Sequence, residues 1–285
     1  MEIDLDDSGN PVSPFFAACS TRAIDLGKSN EPHPHQLIPA RWRSTGKALT
    51  DFADELEAVE LRQKTDGSAL LSAYQHLVYE ATELFDCYTL MLPDRIHPNG
   101  RAEKNALKEF RDAAKRLRAF TANVCNRCKH QGAQLKFLWA TSPSNGRTGA
   151  RLLVNVYRDG DSLVRDDAVH RGRMAGMGMV RIGHELVHAL LRVDRAAGRL
   201  VAKLGDGPGA PMQARSFAIP IGDAARRIAA LRATRHDDEP ALHDGVVFEP
   251  GMARLERVAA DSFGPRSDIT AALTVESGTT TYSLA

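Results

Sequence analysis

Residues 179–201 read MVRIGHELVHALLRVDRAAGRLV, and apolar side chains recur in this stretch at the three- and four-residue spacing of an α-helix. The apolar surface comes from Ile182, Leu186, Val187, Leu190 and Leu191. Gly183 would let another element approach closely just before the first histidine. Gly198 weakens the helix prediction only in the last turn. The stretch therefore predicts a long helix buried in the core.

The same helix carries the pentapeptide His184-Glu185-Leu186-Val187-His188. Two histidines four residues apart lie on one helical face, so both imidazoles can reach one ion. Glu185 would hold and deprotonate a water molecule activated by the metal, without being a ligand. Zinc (Zn²⁺) suits two neutral imidazoles and a carboxylate, with a fourth position left open. The motif predicts a catalytic zinc site; the alternative is a helix with two incidental histidines.

A third metal ligand has to come from elsewhere in the chain. We favour Glu256, on a helix predicted over 251–261, where the small residue Ala259 would let that helix pack closely. Glu249 and His243 are further alternatives. Asp194 has the spacing used by one zinc-peptidase class, but that class breaks the helix with a glycine where this chain has a leucine. An unbroken helix would carry Asp194 about 15 Å from the first histidine.

The remaining patterns divide the chain into three parts. Prolines and polar residues predict a disordered leader over 1–45, which could be read by a secretion system or a secretion chaperone. Helical periodicity predicts a helical region over 46–130. Residues 131–285 combine short strands (Leu135–Ala140 and Leu152–Tyr157) with the motif helix and with helices over 223–234 and 251–261. The fold class is therefore α+β, with a mostly helical N-terminal half and a short mixed sheet.

Composition excludes several classes of protein. The chain has 285 residues and a formal net charge of +1, whereas a dedicated nucleic-acid binder carries a basic excess. No apolar run approaches the roughly 20 residues that span a membrane. Four cysteines do not make a disulfide scaffold, and the acidic start is unlike a secretory signal peptide. We expect a soluble, reduced protein that binds neither nucleic acid nor membranes.

The segment Arg181–Leu190, the Glu256 region and the C-terminal stretch from Ser267 to Ser283 resemble the NleD-type zinc metallopeptidases. The resemblance covers roughly residues 135–285 and leaves the helical half unmatched. It implies a zincin-like core and a bacterial effector delivered by type III secretion into the host cytosol. The implied activity is cleavage of a host signalling protein such as a MAP kinase. The chain departs from the family in lacking paired glutamates near Glu256 and the usual Glu-Asn after Thr270.

An endopeptidase also needs a donor that stabilises the tetrahedral oxyanion. Tyr282 is the preferred residue, because its phenol could reach the site from the C-terminal tail. The alternative is a tyrosine that only packs or lies on the surface. His170, His236 and His243 could also serve.

Two other patterns have ordinary explanations. Cys125 and Cys128 form half of a structural zinc site, but no second pair completes it. The simplest interpretation of the basic face over 104–118 is a solvent-exposed helix surface. The alternative is a docking surface for an acidic partner. Two further functions stay open: a non-catalytic module that binds a host protein through the helical half, and a zinc peptidase or toxin acting inside the bacterium.

Overall fold

The structure is a computed structural model of the chain. It describes residues 1–21, 34–62, 67–93, 96, 100–131, 133, 135–141, 148–154, 157–159, 162–164, 166–170, 177–204, 216–235, 241–262, 270–275 and 278–283.

The described residues form eight α-helices and one π-helical turn. In chain order they are α1 (Pro14–Thr21), α2 (Pro34–Arg62), α3 (Ser68–Asp86), the π-helical turn Cys87–Met91, α4 (Arg101–Ala113), α5 (Lys115–His130), α6 (Asp167–His170), α7 (Met179–Lys203) and α8 (Gly222–Ala230). The mostly helical N-terminal half is confirmed. Within this region, α4 and α5 are separate helices that meet at Ala114.

The strands form two main antiparallel sheets and two small pairs. They are β1 (Glu2–Asp4), β2 (Leu135–Thr141), β3 (Thr148–Val154), β4 (Tyr157–Asp159), β5 (Ser162–Val164), β6 (Met177–Gly178), β7 (Thr234–Arg235), β8 (Leu242–Glu249), β9 (Met252–Ala259), β10 (Asp261–Ser262), β11 (Thr270–Val275) and β12 (Gly278–Ser283). One sheet has the order β1-β9-β8 and the other β12-β11-β2-β3-β6. The molecule is therefore α+β, as predicted. Its two main sheets are antiparallel, and the one parallel pairing among the described strands joins β7 and β10 over two residues.

Helix α7 is buried along most of its length, as its apolar sequence predicts, and Arg199 is exposed near its end. It packs against α1, α4 and β8, with α8 alongside. Gly183 makes one approach possible: a Cβ atom there would lie 3.0 Å from Ile228 Cγ2 on α8. Gly198 makes another, since a Cβ atom would lie 2.5 Å from the Pro14 carbonyl oxygen on α1. The two glycines are the points at which neighbouring elements touch the helix backbone.

The described part of the predicted leader, residues 1–21 and 34–45, is folded, contrary to the expectation of disorder. Two of the prolines begin helices instead of interrupting them, whereas Pro39 lies inside α2. Pro14 and Pro34 are the first residues of α1 and α2, a position where a missing N–H costs nothing. The Ser13 hydroxyl caps α1 by accepting a hydrogen bond from the Phe16 N–H at 3.3 Å. A secretion role for this segment stays a prediction.

The helix predicted over 251–261 is wrong, because Met252–Ala259 is strand β9. It pairs with β8 in a hairpin whose two-residue turn is Pro250-Gly251. Gly251 has φ +76, which suits the third position of a type II turn after a proline. Burial alternates along β9, with Ala253 and Leu255 inside. Glu256 is therefore on a strand and not on a packed helix.

The strand predicted over Leu152–Tyr157 overlaps β3, which is internal to its sheet. Strand β3 has β2 on one side and the two-residue β6 on the other, through Arg151 and Leu152. Strand β6 is thus the edge, and it runs directly into α7.

Among the described residues, no helix is long and apolar enough to cross a membrane.

Candidate functional site

His184 lies where α7 meets α8 and β8, and both of its ring nitrogens are engaged. The Nε2–H of His184 donates to the Ile228 carbonyl oxygen on α8 at 2.8 Å. Its Nδ1 lies 2.7 Å from Nε2 of His243 on β8. Both rings are buried, with 8% of His184 and 2% of His243 exposed.

These contacts fix how protons are arranged on the histidine pair. A carbonyl oxygen can only accept a hydrogen bond, so Nε2 of His184 carries the proton. The Nδ1 atom of His184 is then unprotonated and accepts through its lone pair. Nε2 of His243 must then be the donor, which leaves its Nδ1 without a proton. That Nδ1 atom is buried and has no hydrogen-bond partner in the described structure. Burial also lowers the pKa of His184, and lowers that of His243 to about 3, so both rings are neutral at neutral pH.

His188 lies one turn further along α7 and is also buried and neutral. Burial lowers its pKa to about 4, against an opposing effect from the Asp244 carboxylate. It makes no hydrogen bond with any described residue.

The ligand types at this site suit zinc, but the His184 and His243 rings are too close together to hold an ion between them in this arrangement. Histidine ligands of zinc usually donate their other ring N–H to a carbonyl or carboxylate, as His184 does to Ile228. Two nitrogens on one tetrahedral zinc lie about 3.3 Å apart, given Zn–N bonds of roughly 2.0–2.1 Å. The 2.7 Å between His184 and His243 is a hydrogen-bond distance. Among the described residues, no group of three or more histidine, cysteine, aspartate or glutamate side chains is arranged to hold an ion.

Glu185 points to a different neighbour from the histidines. Its Oε1 accepts from Nε of Arg181 at 3.0 Å, within α7. Its Oε2 lies 3.4 Å from Nη2 of Arg116 on α5. The Arg181 side chain is 3% exposed, whereas that of Arg116 is 57% exposed. The proposed base is therefore held by one buried and one exposed guanidinium.

The structure does not gather the other predicted residues around His184. Glu256 is half-buried and stands opposite Gly245 in the hairpin. Glu249 forms an ion pair with Arg254. Tyr282 is on β12 opposite Ala271, and its side chain lies outside the described residues. The side chain of His170 also lies outside them, as does the whole of His236.

The contacts of Asp194 hold neighbouring elements together. Its buried carboxylate accepts from the Ser13 hydroxyl at 2.7 Å, the Tyr88 hydroxyl at 2.5 Å and the Phe15 N–H at 3.4 Å. The Trp42 indole donates to the same Tyr88 oxygen at 2.9 Å. Burial nevertheless raises the pKa of Asp194 to about 6. The carboxylate thus ties α7 to the start of α1 and to the π-helical turn.

A cleft of about 480 Å³ opens beside His184, between α8 and the β8–β9 hairpin. Its lining is largely apolar and contains two cationic side chains, Arg226 and Arg232. The lining includes His184, Arg226, Leu231, Val246, Phe248 and Val258. A cleft of this kind could accept an apolar side chain next to the histidine pair.

Sequence reasoning missed several partners of the motif. The Arg181–Glu185 pair has helical i, i+4 spacing and could have been found from the sequence. Arg116, Ile228 and Asp244 lie far from the motif in sequence, so their proximity depends on tertiary packing. All four cysteines are free, Cys125 and Cys128 included.

Comparisons with protein-family models, with curated protein sequences and with solved structures found no match to this chain. The similarity to NleD-type peptidases therefore remains one of motif alone, and the site geometry carries the functional argument.

Proposed function

We propose that this chain is a zinc-dependent endopeptidase in which His184, His188 and His243 hold the metal. The observation that carries the proposal is the orientation of His184. Its Nε2–H is fixed by the Ile228 carbonyl, and its lone pair faces the ring of His243. His243 replaces Glu256 as the preferred third ligand, because its Nε2 lies 2.7 Å from Nδ1 of His184 on the motif helix and would become a ligand once the proton between the two rings is displaced. The sequence of β6 leading into α7 supports a zincin-like core.

When bound, zinc would act as a Lewis acid on the scissile carbonyl and make water a nucleophile at neutral pH. Glu185 would take the proton from the attacking water on Oε2 and pass it to the leaving amine. Arg181 would keep Oε1 in place, since that pair is buried. Arg116 would have to leave Oε2, which its largely exposed side chain allows. The cleft beside His184 would take a substrate side chain.

We extend the proposal, on the resemblance alone, to delivery by type III secretion and to cleavage of a host signalling protein. The proposed substrate class is a MAP kinase-like protein. Tyr282 remains the proposed oxyanion donor on the same basis. A zinc peptidase or toxin acting inside the bacterium would use the same residues on a different substrate.

The ion pairs of Glu185 favour a second function. Both carboxylate oxygens are in ion pairs with arginines, which suits a residue that holds α5 against α7. The chain would then be a non-catalytic module that binds a host protein through its helical half.

The Glu185→Gln variant separates these two functions. Zinc-loaded wild type should cleave fluorescein-labelled casein, and Glu185→Gln should keep its zinc but lose at least about a hundredfold in rate, as expected on loss of a general base. Arg116→Ala is the matched control, because it removes the partner of Oε2 and leaves the carboxylate. Cleavage by Glu185→Gln at the wild-type rate would contradict the peptidase mechanism.

A further inference from the structure

Four exposed cations form a stripe along α4 and the start of α5. They are Lys104, Lys108 and Arg111, whose spacing of four and three residues places them on one face of α4, and Lys115, the first residue of α5. None of the four is in an ion pair among the described residues, unlike the exposed Arg199, which pairs with Glu109. The stripe therefore carries uncompensated positive charge.

The stripe borders a concave surface with an apolar floor. A groove of about 680 Å³ runs between α4, α5 and the π-helical turn. Its lining includes all four cations together with Thr89, Leu90 and Leu107. Leu90 is 51% exposed, so the groove combines an accessible apolar side chain with the four cations.

The length of the groove sets the size of what it could hold. Lys104 and Arg111 are seven residues apart on α4, or about 10 Å along its axis, and Lys115 extends the stripe to the start of α5. An extended peptide rises about 3.3 Å per residue, so at least about three residues would be needed to span the cations of α4.

We propose that this groove binds an acidic, extended segment of a protein partner, with one apolar side chain on Leu90. The cations would pair with its carboxylates, and charge complementarity of this kind governs specificity and association rate. Duplex DNA or a membrane surface fits less well. A duplex or a bilayer is too broad to enter a groove of about 680 Å³, whereas a single extended chain can lie in it. The inference does not depend on the zinc site.

The test is fluorescence anisotropy of the full chain with a labelled hexapeptide that has two central leucines between glutamate pairs. Wild type should bind at low salt and lose about tenfold in affinity in 0.5 M salt, because screening weakens exposed charges. Lys108→Glu with Lys115→Glu should also lose about tenfold or more. Leu90→Ser should weaken binding by a few-fold. The matched control is Lys47→Glu with Lys203→Glu, two exposed lysines outside the groove, which should stay within about twofold of wild type.

Several results would overturn the proposal. They are no binding by wild type, equal binding by the groove variant, and equal binding of a peptide with glutamine in place of glutamate. Tighter binding to phosphatidylserine vesicles or duplex DNA, lost in the same variant, would assign the groove to a different partner. Each result is independent of zinc content, so failure here leaves the peptidase proposal unaffected.

Discussion

At the scale of single residues, Asp194 is a buried acid whose ionisation should be visible in stability. Its pKa of about 6 is above the ordinary 3.8, because burial outweighs the hydrogen bonds from Tyr88 and Ser13. A carboxyl with a raised pKa stabilises the fold when it is protonated. That contribution is full below pH 3.8 and is lost as the pH rises through about 6.

The Asp194→Asn variant has no carboxyl group at this position to titrate, so it serves as the reference for wild type. The free energy of unfolding of wild type minus that of the variant should fall by about 2–3 kcal/mol between pH 4 and pH 7. Urea unfolding at each pH, followed by circular dichroism, measures the difference. A difference that rises with pH would mean that the three donors hold the carboxylate ionised and lower its pKa instead.

The choice between His243 and Glu256 is also a question about single residues. His243→Ala should weaken zinc binding by about a hundredfold or more, since even changes in the second shell of a site cost 10- to 100-fold. Glu256→Ala should leave zinc affinity within about threefold of wild type, because Glu256 stands opposite Gly245 in the hairpin and the hydrogen bonds of His184 in the described structure go to His243 and Ile228. Competition with a chromophoric chelator gives both affinities. The reverse ranking of the two variants would restore Glu256 as the ligand.

At the scale of elements, the contact between α1 and α7 depends on Gly198. A Cβ atom there would meet the Pro14 carbonyl at 2.5 Å and the Phe15 nitrogen at 2.9 Å, both of which are backbone atoms. Overpacking costs up to about 3 kcal/mol, and the better helix propensity of alanine returns about 1. Gly198→Ala should therefore lower the free energy of unfolding by about 2 kcal/mol.

Urea denaturation checks this prediction, with Arg199→Ala as its control. Arg199 is the exposed neighbour, and its surface ion pair with Glu109 should be worth less than about 0.5 kcal/mol. A stabilised Gly198→Ala variant would show that α1 is not held against the α7 backbone.

Some elements could be predicted from the sequence and others could not, for physical reasons. Helix α7 was predictable because its apolar spacing is strong and its burial agrees with that spacing. The hairpin of β8 and β9 was missed, although Pro250-Gly251 is a turn sequence and Ala253 and Leu255 alternate with charged residues. The meeting of His184 and His243 across 59 positions depends on tertiary packing, which no local pattern encodes.

At the scale of the whole molecule, residues 1–21 behave as part of the fold. Strand β1 pairs with β9, and Phe15 and Phe16 of α1 are buried in the core. Two buried phenylalanines contribute roughly 3–6 kcal/mol, a large share of the 5–15 kcal/mol that keeps a typical domain folded.

Deletion of residues 1–21 should therefore abolish the cooperative thermal transition or lower its midpoint by more than about 10 °C. Differential scanning fluorimetry of the truncated and full chains measures this. An unchanged midpoint would return these residues to the role of a dispensable leader.

The zinc site is the central claim, and elemental analysis of protein purified without chelators tests it most directly. Wild type should contain about one zinc per chain. His188→Ala, checked for its fold by circular dichroism, should contain almost none. Wild type without zinc after exposure to the ion, or zinc retained in folded His188→Ala, would contradict the account.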